Sequence, residues 1–130
     1  MRLNQLTLPS TDVVRGRDFY VRLGFTLIVD AAPHYLRLQA PEGGTTLSLH
    51  QVETPPAGPN IVLYLETDTL DEDVARLKSG GFVFFADPED QSWLWREARL
   101  RDPDGNEICL YHAGENRLNP PWRVKEAQAR

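Results

Sequence analysis

Cys109 is the only cysteine of the chain, and His50 is one of its three histidines. A cysteine attacks as its thiolate, so it needs a base nearby and a lowered pKa. His50 is the one plausible base. His34 follows Pro33 at the start of a strand and reads as a solvated loop histidine. His112 alternates out of register with Cys109. The plainer reading of Cys109 is a buried, small apolar side chain, in which case Cys109→Ala leaves ligand binding intact. Trp93 and Trp95 stand two apart and face one way if they share a strand. They would then offer a flat wall to a planar ligand. Trp93, Trp95 and Tyr111 read equally well as core.

The elements that must position these residues follow from periodicity and turn chemistry. The run Asp102-Pro103-Asp104-Gly105-Asn106 is a turn, because proline fixes φ and glycine takes φ > 0 without strain. Behind it, Ile108, Leu110 and His112 alternate with Glu107, Cys109 and Tyr111, as in a half-buried strand. The spacing predicts a first strand over 3–8, a turn at 9–12 with a helix cap, and a helix over 13–23. Val14, Phe19 and Leu23 fall on one side of that helix, and Gly24 ends it. Strands follow over 25–29, 34–39 and 45–52, giving β-α-β-β-β. The stretch 54–59 holds three prolines and one glycine and reads as a stiff linker.

The second half repeats the pattern. A strand is expected over 60–65 and a cap at Thr67-Asp68. A helix follows over 70–78 with Leu70, Val74 and Leu77 at i, i+4, i+7. Then come a strand over 82–85, a loop over 87–91, a strand over 93–100, the Asp-Pro-Asp-Gly turn and a strand over 107–112. The repeat lies in pattern rather than in letters. The organisation is therefore a module over 1–53, a linker over 54–59, a second module over 60–112 and a tail over 113–130. Asn119-Pro120-Pro121-Trp122 excludes a regular element there, and Trp122 is expected to be pinned against the body or a partner chain. The polar stretch 123–130 could form a short helix.

At 130 residues with 41% hydrophobic and 25% charged residues, the chain can fold without staples. One cysteine excludes an internal disulfide framework. A net charge of −5 argues against nucleic acid, whose binders are usually basic. No apolar run approaches membrane-spanning length and no signal peptide is evident. A reduced, cytoplasmic setting is the expectation.

Two β-α-β-β-β halves around a linker resemble the vicinal oxygen chelate superfamily, the glyoxalase/bleomycin resistance protein/dioxygenase family. The resemblance rests on Asp12 followed by Arg17-Asp18-Phe19-Tyr20, on Leu23-Gly24-Phe25, on Gly43-Gly44 before a strand, and on Asp102-Pro103-Asp104-Gly105-Asn106, and it spans residues 1–112. It implies an α+β fold of two βαβββ modules making a cupped, barrel-like mixed sheet. Ligands bind inside the cup, and a homodimer is common. It also implies four metal-ligand positions, which fall here on Gln5, Ser48, Asn60 and Cys109. Three of these are neutral, weak donors, so the set is a poor metal site, and no metal or cofactor is expected. By strand alternation Thr7, His50, Tyr64 and Tyr111 share the inner face with those positions, as does Val62.

Two functions follow. The first is a metal-free protein binding or sequestering a small organic molecule, aromatic or, given the acidic charge, cationic. Its ligand would meet Gln5, Thr7, Ser48, His50, Asn60, Tyr64, Trp93, Trp95, Cys109 and Tyr111. The second is a glyoxalase- or dioxygenase-like lyase or isomerase. It would use non-standard metal ligands such as His50, Glu66 or Glu107, or metal-independent acid–base chemistry on Cys109, His50 or Tyr111. A third role, protein contact through the Pro-Pro-Trp tail, would be exposed by truncation after Ala113.

Overall fold

Short alternating runs separated by turn chemistry give strands, and two longer runs with a 3.6-residue stripe give helices. A computed structural model describes residues 1–55, 57 and 61–124. The first sheet is built from β1 (Gln5–Ser10), β2 (Thr26–Ala31), β3 (Tyr35–Gln39) and β4 (Thr46–Gln51), with α1 (Val13–Leu23) between the first two. The second is built from β5 (Val62–Glu66), β6 (Phe84–Asp90), β7 (Arg96–Arg101) and β8 (Glu107–His112), with α2 (Leu70–Ser79) between its first two. Strand orders are β1-β4-β3-β2 and β5-β8-β7-β6, so the two sheets have the same topology. In the first, β1 and β4 run parallel while β2–β3 and β3–β4 run antiparallel. The fold is α+β, and each half follows β-α-β-β-β as its sequence predicts.

Chain contacts divide the molecule into two units. One holds Met1–Ile61 with Arg101–Glu107, and the other holds Val62–Leu100 with Ile108–Arg130. In the first unit Asp12 caps α1 by accepting the Arg15 N–H at 3.1 Å. Gly24 ends the helix at φ 123°, which glycine alone adopts cheaply. The buried side of α1 is Val13, Gly16 and Tyr20, not the expected Val14, Phe19 and Leu23. The reason is Gly16. A Cβ there would sit 2.6 Å from Leu49 Cδ1, so the helix approaches β4 along its glycine rather than along its larger apolar residues.

The Asp-Pro-Asp-Gly-Asn turn is a clamp. Asp102 Oδ1 accepts the N–H groups of Asp104 and Asn106, each at 2.9 Å. Its Oδ2 accepts the Asn106 amide at 2.9 Å and the Tyr20 hydroxyl at 2.7 Å. Burial first, then the charge and hydrogen bond of Asp102, push the Tyr20 phenol far above its ordinary value, so it stays a donor. Asp104 takes the Ser10 hydroxyl at 2.6 Å, the Thr11 N–H at 2.9 Å and the Thr11 hydroxyl at 3.0 Å. Arg15 donates to the Pro103 carbonyl at 3.3 Å. The motif thus ties the turn to the junction of β1 and α1. These buried polar groups are mutually satisfied, which is what burial requires.

In the second unit α2 buries Leu70, Val74 and Leu77, as their spacing predicts. Its N-cap is Thr69 rather than Thr67 or Asp68, and no side chain caps it. Thr67 instead accepts the Thr69 N–H at 3.1 Å and donates to Asp73. The expected loop over 87–91 is mostly strand, because β6 runs to Asp90. It is an edge strand with an irregular register, where Pro88 costs no ladder bond. The expected strand over 93–100 begins only at Arg96. Ser92 to Leu94 make a turn, in which Leu94 takes φ 68° and its N–H donates to the Gln91 carbonyl at 3.0 Å. Beyond β8 a short 3-10 helix spans Gly114–Asn116, and Trp122 is 58% exposed rather than pinned within this chain. Asn60 and residues 125–130 lie outside the described residues.

Candidate functional site

The first sheet sends its leucines to one side. Leu8, Leu36, Leu38, Leu47 and Leu49 are buried, and α1 packs on β3 and β4. Alternation sends their neighbours to the other side. Register aligns Gln5 with Thr46, Thr7 with Ser48 and Pro9 with His50. It then aligns Tyr35 with His50, Arg37 with Ser48 and Gln39 with Thr46. Gln5, Thr7, Ser48 and His50 therefore share one face, together with Tyr35 and Arg37.

That face is a network. The Thr46 hydroxyl donates to Gln5 Oε1 at 2.8 Å. Ser48 is fully buried, its hydroxyl 2.7 Å from the Tyr35 hydroxyl. Arg37 Nε donates to the same phenol at 3.0 Å, and its guanidinium lies 5.7 Å from the Tyr35 ring centre. The hydrogen bond with Ser48, and after it Arg37, hold the Tyr35 phenol below its ordinary value against the opposing effect of burial. Gln5, Thr7 and His50 are exposed.

The second sheet sends Leu63, Ala98, Leu100, Ile108 and Leu110 into the core. The opposite side of its strands carries rings. Trp95 and Tyr111 stack with centres 4.6 Å apart and planes 17° from parallel. Tyr64 meets both edge-on, at 6.0 Å from Trp95 and 5.6 Å from Tyr111. Arg99 lies 5.8 Å from the Tyr64 ring centre. Beside them Glu97 is buried, accepting Trp93 Nε1–H and the Arg99 guanidinium, each at 2.8 Å. Burial, with the Glu66 charge adding to it, pushes the Tyr111 phenol up, so it remains neutral.

The tail fixes this cluster. Trp95 Nε1–H donates to the Asn116 carbonyl at 3.3 Å. Glu66 Oε2 accepts the N–H groups of Ala113 and Gly114 at 2.8 and 2.9 Å, and Arg117 stands 3.6 Å from its other oxygen. Burial works to raise the Glu66 carboxyl, but those two N–H donors, with Arg117 and His112, outweigh it and hold it below its ordinary value.

The structure thus brings Gln5, Thr7, Ser48 and His50 together on the first sheet. On the second it brings together Tyr64, Trp95, Cys109 and Tyr111, with Trp93 reaching in from its turn. Trp93 and Trp95 do not share a strand face as expected. Trp93 is bound to Glu97, and Trp95 alone joins the stack. Cys109 is buried with Tyr111, Ala113 and Trp95. Sequence reading missed Tyr35, Arg37, Glu97 and Arg99. A signal for them existed, since Arg37 and Tyr35 alternate along the strand that neighbours Ser48, and Glu97 and Arg99 follow Trp95 at steps of two.

Of the residues that the resemblance puts at metal-ligand positions, Gln5, Ser48 and Cys109 do not fit a metal. The Gln5 carbonyl oxygen and the Ser48 hydroxyl are neutral and already hydrogen-bonded within the sheet, and the Cys109 thiol is buried among rings. Among the described residues no group of three or more His, Cys, Asp or Glu side chains is arranged to hold a metal ion.

The family model of the Glyoxalase/Bleomycin resistance protein/Dioxygenase superfamily matches residues 2–110. Among solved structures, TnmS3, an antibiotic binding protein from Streptomyces sp. CB03234, is 31% identical, with a TM-score of 0.72 over 87% of this chain and 96% of its own. A bleomycin-binding protein complexed with bleomycin is 28% identical, with a TM-score of 0.68 over 86% and 98% of the two chains. Lactoylglutathione lyase from Agrobacterium tumefaciens shares the fold at 15% identity, with a TM-score of 0.72 over 85% and 92%. No curated protein sequence matches at a significant level.

Proposed function

The chain belongs to the glyoxalase/bleomycin resistance protein/dioxygenase superfamily, and we propose that it is a metal-independent binding protein that sequesters a small planar organic molecule. The carrying observation is the ring cluster of Tyr64, Trp95 and Tyr111. Tyr64 is 48% exposed while Trp95 and Tyr111 are held behind it, so a preformed aromatic surface meets solvent. Such a surface gains from stacking without first paying to order its rings. Glu97 is matched by Arg99 and Glu66 by Arg117, so this surface recognises a ring rather than a charge. The structural relatives whose names record antibiotic or bleomycin binding support the same reading.

Binding of this kind asks nothing of Cys109, which lies buried beside Tyr111, Ala113 and Trp95. We propose further that the protein works as a homodimer in the cytoplasm. Among the described residues no helix is long and apolar enough to cross a membrane.

The test is a fluorescence titration with bleomycin and with acridine, a flat tricyclic dye, on the full chain and on Trp95→Ala. Saturable quenching in the parent protein and at least tenfold weaker binding in the variant are expected. Equal affinities for the two proteins would overturn the assignment of the rings. Elemental analysis after dialysis against divalent metals should find none retained, and a stoichiometric metal would overturn metal independence. Sedimentation should give twice the monomer mass of 14.8 kDa.

A further inference from the structure

The first sheet carries a site of a different kind. The chain has a net charge of −5, yet one face of this sheet has no carboxylate. β1, β3 and β4 place there Gln5, Thr7, Pro9, Tyr35, Arg37, Gln39, Thr46, Ser48 and His50. The partners of Gln39, Arg37 and Tyr35 on β2 are Thr26, Val29 and Ala31. Asp30 pairs with Leu36 and so belongs to the opposite side. Acidic residues have been kept off the whole face while a guanidinium sits within it.

That guanidinium is held in place. Arg37 is half-buried, with Nε committed to the Tyr35 hydroxyl and Cζ 5.7 Å from the Tyr35 ring centre. The phenol is fixed in turn by the fully buried Ser48. Among the described residues no carboxylate forms an ion pair with Arg37. Its Nη1 and Nη2 are the pair of parallel donors that an oxyanion accepts bidentately. A side chain already ordered loses little entropy on binding, and partial burial strengthens the attraction.

We infer that Arg37, oriented by Tyr35 and Ser48, is a binding site for an oxyanion, the carboxylate or phosphate group of a small molecule. The sign is opposite to the cationic preference that net charge suggests, because the field at a face is set by the groups on it. The inference does not rest on the aromatic surface of the second sheet.

The experiment therefore uses probes that cannot stack. Full-length protein labelled with nitrogen-15 is titrated with succinate, inorganic phosphate and succinamide, reading the Arg37 Nε–H resonance. Succinate or phosphate should shift it saturably and bind at least tenfold more tightly than neutral succinamide. The tighter of the two oxyanions identifies the group. Arg37→Gln should weaken that binding at least tenfold, and Arg37→Lys, which keeps the charge but loses the fork, by less. Oxyanions that bind no better than succinamide would overturn the site, as would an unchanged affinity in Arg37→Gln. Should the glutamine variant fail to fold, the succinate–succinamide comparison on the parent protein decides alone.

Discussion

The two sheets have one topology and opposite surface chemistry. On the first, the side turned from the leucine core is a hydrogen-bonded network in which Ser48, Tyr35 and Arg37 hold one another. On the second, the equivalent side is ring on ring, Trp95 on Tyr111 with Tyr64 at their edge. The difference shows what the repeat constrains. Alternation and strand order are common to both halves, and the core side of each is aliphatic. The other side is not constrained by the core, so its chemistry has diverged. The polar network ties up the Ser48 and Tyr35 hydroxyls and Arg37 Nε, and among the described residues no carboxylate pairs with the remaining Arg37 fork. Stacked rings consume little and leave apolar surface for a planar partner.

The comparison is broken hardest by Trp95→Ala. Removing the indole deletes the stack and the anchor to Asn116, and should cost about 3 kcal/mol of stability, the low end for aromatic-to-alanine changes because Trp95 is only partly buried. Dye binding should fall at least tenfold, with succinate affinity held. Calorimetry and the two titrations read this together. Loss of both affinities in a folded variant would mean that the two surfaces are not independent.

Ser48→Ala is the smaller counterpart on the first sheet. It leaves Tyr35 with Arg37 alone and should cost about 1 kcal/mol, the net value of one hydrogen bond. Its functional effect should be a few-fold loss of succinate affinity through a looser Arg37. Urea denaturation and the nitrogen-15 titration would show it. An unchanged midpoint would mean the Ser48 contact contributes nothing.

Acid sharpens the comparison from the side of the tail. Glu66 is held below its ordinary value of 4.5 by the Ala113 and Gly114 N–H groups against burial. A depressed folded pKa means that the carboxylate stabilises the tail fully above the ordinary value. That contribution is lost as pH falls below 4.5 and through the lowered folded value. Trp95 fluorescence should change across that window in a Trp93→Phe, Trp122→Phe background. The change should be smaller in Glu66→Gln, which removes this titration but not that of Asp73. An identical acid transition in the glutamine variant would rule Glu66 out as the anchor.

Cys109→Ala should do least. The thiol is buried among Tyr111, Ala113 and Trp95, and its loss removes about one methylene's worth of packing, about 1 kcal/mol or less. Binding of the dye should be unchanged within twofold. A large loss would return Cys109 to the chemistry of the protein.

Much of the fold was legible because it is local. Asp12 as a cap, Gly24 as a stop and Leu70, Val74 and Leu77 as a stripe all depend on residues within two turns of each other. The turn at Asp102–Asn106 was legible as a turn. Its hold on Tyr20, Ser10 and Thr11 was not, since those partners lie more than eighty residues away in sequence. The buried side of α1 was misread because a glycine decided how closely the helix could lie on Leu49. The strand at Trp93 was misread because apolar residues at steps of two look the same in a strand and in a turn that folds back. What alternation supplied was the grouping of Gln5, Thr7, Ser48 and His50. What it withheld was the register that sets Arg37 opposite Ser48.

The sequence by itself determined the two β-α-β-β-β halves and most of their caps and turns. These depend on φ preferences, on periods of 2 and 3.6, and on residue identity. Only the tertiary structure decided that Trp95 stacks on Tyr111 while Trp93 binds Glu97, and that an acidic chain keeps one face free of carboxylates around Arg37. Such outcomes depend on register and on contacts between distant strands. A one-residue slip would turn every one of those side chains to the other face.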